Sequence, residues 1–225
     1  MGVRAERKRA ARERIVTAAA TRMREEGLSG AAVVDVMGDA GLTHGAFYAH
    51  FPDKVALAAA AIEHALTEGR ARWVADLETL TTAEAAARLA ERYLNERHRD
   101  DPGDGCTFAA LGAEVPRAPR AVRARYETEL RRSLAAVTAG LARDGRRTTD
   151  GPPDDDPAVP AGARDAIDHD VPPPSDDALA FLALCVGGLQ MARAIDDEEL
   201  SQRILRVCRA AATELVTPDA QEQER

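Results

Sequence analysis

Residues 33–54 read VVDVMGDAGLTHGAFYAHFPDK, and their spacing decides the fold of the N-terminal part of the chain. Val33, Val36, Met37 and Ala40 fall at i, i+3, i+4 and i+7, which predicts a short helix with one apolar stripe. Gly41 ends it, because glycine tolerates the left-handed backbone of a sharp helix exit, and Leu42 follows as a buried plug. Thr43 is suited to cap a second short helix, in which Phe47 and Phe51 stand one turn apart on the buried side. Thr43, His44, Ala46 and Tyr48 are left pointing away from the core. Two short helices around a tight turn, the second with a polar, small and aromatic outer face, describe a helix-turn-helix whose recognition helix enters a major groove.

Working outward, Ile15, Ala19 and Met23 repeat at helical spacing over about 9–26, and Gly27 closes that first helix. Downstream, Pro52 breaks the recognition helix and Asp53 caps a long helix over about 54–80, carrying Leu57, Ile62, Leu66, Trp73 and Leu77. Thr81 or Thr82 caps a further helix through Leu89, Tyr93 and Leu94 to about His98, and residues 99–105 (RDDPGDG) form a loop by their turn chemistry. A short apolar helix runs from Cys106 to about Glu114, and Pro116 and Pro119 precede a long helix over roughly 118–143. Residues 178–195 are apolar nearly all round, and 198–216 are amphipathic. A helix apolar on every side has to be buried on every side, so these last two helices are expected to form a subunit interface, with Gly187 and Gly188 allowing close helix approach.

Composition agrees with a helical chain. The 225 residues are rich in Ala, Arg, Glu and Leu and only 4% aromatic, which predicts an all-α protein with a core of real size. The formal charge of −8 at first opposes a nucleic-acid partner, but its distribution reverses that conclusion. Residues 144–177 hold ten acidic side chains against three arginines, together with seven of the twelve prolines, and are expected to be a disordered or extended loop. The first 24 residues carry eight basic side chains against two acidic ones, a basic arm beside the helix-turn-helix of the kind that meets phosphates. No long apolar run and no signal-like segment occurs, so a cytoplasmic protein with no membrane partner is expected. Cys106, Cys185 and Cys208 are too widely spaced for a disulfide framework or a metal site, and neither metal nor cofactor is expected. Without a paired His and carboxylate, a Gly-rich phosphate loop or HExxH spacing, the sequence does not read as an enzyme.

The stretch RERIVTAAATRMREEGLSGAAVVDVMGDAGLTHGAFYAHFPDKVALAAAAIEHAL resembles the N-terminal domain of TetR/AcrR-type bacterial transcriptional regulators. The marks are the Gly41-Leu42-Thr43 turn, Gly45, Phe47-Tyr48, His50-Phe51 and the Asp53-Lys54 start of the next helix. The resemblance implies about nine helices. Residues 1–52 would be the basic arm and DNA-binding domain, and 53–225 a helical effector-binding and dimerisation domain holding the acidic loop. It further implies a homodimer formed by the last two helices, acting as a repressor on a palindromic operator and released by a small-molecule effector. Tyr48, His50 and Lys54 would contact phosphates, Thr43 and His44 would read bases, and the Ala46 methyl would face thymine. Ala32 departs from the hydroxyl residue usual at the start of the second helix, and Ser29 is the nearby candidate to replace it. The acidic insert is a second departure.

Trp73, Tyr93, Phe108, Tyr126 and Met191 are spaced to line one cavity in the helical body, and Gln190, polar in an apolar helix, needs a partner in a ligand, a water or the other subunit. Gly105-Cys106 opens a helix beside that expected cavity and resembles a Gly-Cys in electrophile- and bleach-responsive repressors of the family. A helix N-terminus lowers a thiol pKa, whereas Asp104 raises it. A thiol-based electrophile or redox sensor acting through Cys106 is therefore the alternative reading, and a helical protein-binding adaptor without DNA binding is a more remote one.

Overall fold

A computed structural model describes residues 2–142 and 172–216. Most of the acidic segment, 144–171, lies outside them. Among the described residues every regular element is a helix: α1 (Val3–Gly30), α2 (Val33–Asp39), a 3-10 helix (His44–Ala49), α3 (Lys54–Trp73), α4 (Thr82–Tyr93), α5 (Glu96–Asp100), α6 (Thr107–Leu111), a 3-10 turn (Val115–Arg117), α7 (Arg120–Leu141), α8 (Asp176–Arg193) and α9 (Glu198–Val216).

The apolar stripe of α1 buries Ile15, Ala19 and Met23 against Val36 and Met37 of α2 and Phe47 and Phe51 beyond the turn. Gly41 sits at φ +67 and Gly27 at φ +80, so both helix exits use the left-handed backbone that glycine adopts without a Cβ clash. Helix α1 starts six residues before the expected position and resumes for three residues beyond the Gly27 kink. The basic arm is thus the first turns of a helix. At the start of α2 the cap residue is Ala32, and no side chain caps it, so Ser29 does not replace the missing hydroxyl there. Asp53 caps α3 by accepting the Ala56 amide at 2.7 Å.

Three further boundaries differ from the expected ones, the first for a tertiary reason and the other two through local caps. Helix α3 stops at Trp73 rather than near residue 80, because the Arg92 guanidinium reaches back to the freed carbonyls of Trp73 (3.1 Å) and Ala75, and the Trp73 indole donates to the Leu89 carbonyl at 2.9 Å. Helix α4 starts from a capping box between Thr81 and Glu84 and ends at Tyr93. Asn95 donates to the Glu91 and Arg92 carbonyls and accepts the His98 amide, so it closes α4 and opens α5 within what was expected to be one helix and a loop. Asp176 and Asp177, expected in the acidic loop, form the first turn of α8, capped by the Ser175 hydroxyl. Acidic side chains at a helix start oppose the positive end of its dipole.

The core of the helix-turn-helix is continuous with that of the body through Phe108 and Leu111 of α6 and Val122 of α7. Leu77, Leu89, Tyr93, Phe181, Leu189 and Leu205 anchor a second cluster around α4, α8 and α9. Between α3 and α7 lies Glu129, fully buried, with its carboxylate taken by Arg70 at 2.9 Å and Arg132 at 2.8 Å. Removing one partner of such a pair strands a charge in the interior, which is why the network binds α7 to the helix that leads from the helix-turn-helix.

Candidate DNA interface and effector cavity

The turn at Gly41 and the burial of Phe47 and Phe51 orient the 3-10 helix so that Thr43 and His44 are exposed at its start. The Thr43 side chain makes no cap bond, contrary to its expected role, and is left unengaged by the helix it precedes. Tyr48 is 70% exposed, with its ring edge-on to Phe47 at 5.2 Å, so the phenol is propped outward by an aromatic base. Ala46 is half-buried and packs partly on the core, which leaves less of its methyl outward than expected.

His50 is half-buried, and its Nδ1 is enclosed with no hydrogen-bond partner. Burial, followed by the positive charges of Lys8 and Arg12, holds its pKa below the usual imidazole value. Arg12 also lies over the Phe51 ring, 4.7 Å from its centroid. Lys8 and Arg12 are one turn apart on α1, so an exposed basic stripe runs from α1 toward His50. Lys54 donates to the Ser29 carbonyl at 3.1 Å, tying the start of α3 to the end of α1.

In the body a cavity of about 490 Å³ opens between α3, α4, α5 and α6. Trp73, Tyr93, Cys106 and Phe108 line it. Trp73 lies 5.0 Å from Tyr93 and is backed by Phe181 at 6.3 Å. His98 is held from both sides: Nδ1–H donates to the Tyr93 carbonyl at 2.7 Å, and Nε2 accepts the Cys106 amide at 2.9 Å. Those two bonds fit the neutral ring protonated on Nδ1, and burial holds the His98 pKa below the usual imidazole value although the Tyr93 bond opposes it. Cys106 is half-buried at the cap position of α6.

The remaining pocket candidates fall elsewhere. Tyr126 stands behind the lining, edge-on to Phe108 at 5.2 Å, with its pKa pushed up to about 12 by burial. Gln190 donates to the Ala109 carbonyl at 2.9 Å, so its partner is the backbone of α6. Met191 is 58% exposed on the outer side of α8. The periodicity of an isolated helix cannot show which neighbour its apolar face meets, and here that face turns away from the cavity.

Residues 15–61 match the family model described as bacterial regulatory proteins, tetR family. Those residues are a TetR-type N-terminal domain. No curated protein matches the chain. Its fold is shared with solved TetR-family structures. The reduced form of NemR from E. coli is 18% identical with a TM-score of 0.68, over 93% of this chain and 99% of that one. A TetR-family regulator from Agrobacterium tumefaciens is 20% identical with a TM-score of 0.66, over 94% and 100%. FadR from Bacillus subtilis, solved in complex with stearoyl-CoA, is 14% identical with a TM-score of 0.54, over 91% and 96%.

Behind this TetR-type domain, periodicity did not bring Gly69, Arg70, His98 or Thr107 to the cavity. All four line it. Gly69 is the one with a retrospective signal, since a glycine in the middle of a long helix costs helix stability and invites a packing or functional reason. Among the described residues no helix is long and apolar enough to cross a membrane.

Proposed function

We propose that the chain is a homodimeric TetR-family repressor that binds a palindromic operator and is released when a small molecule occupies the cavity between α3 and α6. The observation that carries the reading is the outward face of the helix-turn-helix: exposed Thr43, His44 and Tyr48 beside the Lys8–Arg12 stripe. In this reading Thr43 and His44 meet base edges, and the part of the Ala46 methyl left outward meets thymine. In the same reading Tyr48, His50 and Lys54 contact phosphates. Dimerisation is supported by exposed apolar side chains on α8 and α9, including Leu179, Met191, Leu200 and Val207, in helices otherwise packed on each other. The cavity touches α3, the helix that continues from the recognition segment, so occupancy that shifts α3 changes the spacing of two recognition helices. The test is titration of the full chain against DNA from its own promoter region at increasing salt. Sequence-specific retardation that falls steeply with salt is expected, and its absence under all conditions refutes the reading.

A second reading is favoured by Cys106 lining the cavity. In it, an α,β-unsaturated carbonyl compound adds to the thiol. The sulfur bonds to the β-carbon and the thiol proton ends on the α-carbon, so the adduct acts as a covalent effector. Operator release by such a compound that persists in Cys106→Ser refutes it.

A further inference from the structure

We infer that the cavity is built for a flat, conjugated monoanion, an aromatic carboxylic acid as its carboxylate. This rests on the cavity being the effector site of the proposed regulator. The walls set the shape: Trp73, Tyr93 and Phe108 supply aromatic faces, and Gly69 lies between Leu66 and Trp73 on α3 with open space where a side chain would project. A missing side chain at that point keeps a slot clear alongside the indole.

The polar lining sets the charge. Four arginines, Arg70, Arg72, Arg92 and Arg97, and two carboxylates, Asp101 and Asp104, line the cavity; Arg70 is paired with Glu129, Arg72 with Asp104, and Arg92 with the Trp73 and Ala75 carbonyls. Both carboxylates are engaged, Asp104 by Arg72 at 2.7 Å and Asp101 by the Asp104 amide at 3.0 Å. The balance of charge in the lining is positive, and Arg97 stands exposed at its rim. His98 adds no charge, since both its nitrogens are committed to the backbone. The hydroxyls of two lining residues, Tyr93 Oη and Thr107 Oγ1, are buried without a hydrogen-bond partner, and the residues are only 4% and 3% exposed. The Cys106 sulfur neighbours the phenol and, after burial, helps to hold it protonated. A buried hydroxyl without a partner destabilises the protein that carries it, so a pair of them in one cavity marks groups reserved for a ligand. Tyr93 is held protonated by burial and therefore offers a donor, which suits an anionic oxygen best.

Isothermal titration of the full chain with biphenyl-4-carboxylate, biphenyl-4-methanol and biphenyl-4-methylammonium tests the assignment, without DNA present. The carboxylate is expected to bind one per chain, at least about tenfold more tightly than either analogue, as charge-assisted hydrogen bonds warrant. It should quench the fluorescence of Trp73, the single tryptophan. Gly69→Leu fills the slot while raising helix propensity, so it should abolish binding with thermal stability kept. Tyr93→Phe and Thr107→Val remove hydroxyls the free protein does not use. They should fold as well as the parent and narrow the gap between carboxylate and alcohol. Equal or tighter binding of the alcohol or the ammonium overturns the anion assignment, even if that compound releases operator DNA and so supports the effector reading. Binding that survives Gly69→Leu, or no binding of the carboxylate, overturns it too. Failure of DNA binding, measured separately, counts against the proposed regulator and leaves these titrations interpretable.

Discussion

The Glu114 carboxylate accepts the Leu28 amide proton at 2.9 Å, joining the loop after α6 to the kink of α1. That bond crosses from the cavity-lining side of the body to the back of the helix-turn-helix. It is supported by Arg24 of α1, whose Nε donates to the Gly103 carbonyl at 2.7 Å just before α6. Gly27 makes room for it, because a Cβ there would lie 2.5 Å from Glu114 Oε1.

Glu114→Ala is expected to destabilise the chain by about 1–2 kcal/mol, the cost of leaving a half-buried amide unpaired. Gly27→Ala adds backbone strain at φ +80 to the clash and is expected to cost about 1–3 kcal/mol. Thermal unfolding of the two variants checks this, with the melting temperature falling by about 2–4 °C per kcal/mol for a chain of this size. An unchanged transition in Gly27→Ala would show that the kink is not constrained.

Acid is expected to weaken the fold through His98. Its folded pKa lies below the ordinary value of 6.5, with burial the largest cause, so below that value the unfolded chain binds more protons than the folded one. The His98 contribution is fully present above about 6.5 and is lost as pH falls toward the lowered folded value. Protonation also replaces the acceptor of the Cys106 amide with a second donor. Arg72, Arg193 and Asp104 surround the ring, and the first two reinforce the shift while Asp104 opposes it. Denaturant midpoints at pH 7.5 and 5.5 should diverge less in His98→Gln than in the parent. Part of the divergence should remain from His50, which is shifted the same way.

On DNA, the two classes of contact should separate. Tyr48→Phe and Lys54→Ala are expected to weaken binding to all sequences alike, and the lysine change should lower the salt slope by about one. His44→Ala is expected to cost about 1–3 kcal/mol on the operator and much less on unrelated DNA. Anisotropy titrations on both DNAs at two salt concentrations distinguish these outcomes, and a uniform loss in His44→Ala would assign that residue to phosphate instead.

Adjacent glycines in α8 should respond in opposite ways. A Cβ on Gly188 would lie 2.8 Å from both Cβ and Sγ of Cys208, so Gly188→Ala is expected to cost about 1–3 kcal/mol by forcing α8 and α9 apart. Gly187 has nothing within 4 Å, so Gly187→Ala should leave the isolated fold as stable or more so. If α8 and α9 form the subunit interface, Val207→Glu places a charge on that face. Light scattering should then read the 24.1 kDa chain mass in place of twice that value.

Reading residues in order was enough for much that neighbours within a turn or two govern, though not for Thr43, which caps nothing, or for the Asn95 and Ser175 caps. The α2 stripe, the Gly41 exit, the buried Phe47 and Phe51 and the Asp53 cap are local geometry, in which side-chain type and spacing leave few alternatives. The exposed placement of Thr43, His44 and Tyr48 follows from the same periodicity. Long-range contacts decided what lies beyond that range. Helix α3 ends at Trp73 because Arg92, 19 residues later, takes its terminal carbonyls. His98 becomes a neutral brace because Tyr93 and Cys106 present a carbonyl and an amide to its two nitrogens. Gln190 and Met191 are neighbours in one helix, yet one bonds α6 and the other faces outward. Hydrophobic burial is non-directional, so a sequence can mark a residue as apolar or costly to bury without specifying which part of the chain will meet it. That choice, and with it the cavity, is made only when the helices pack.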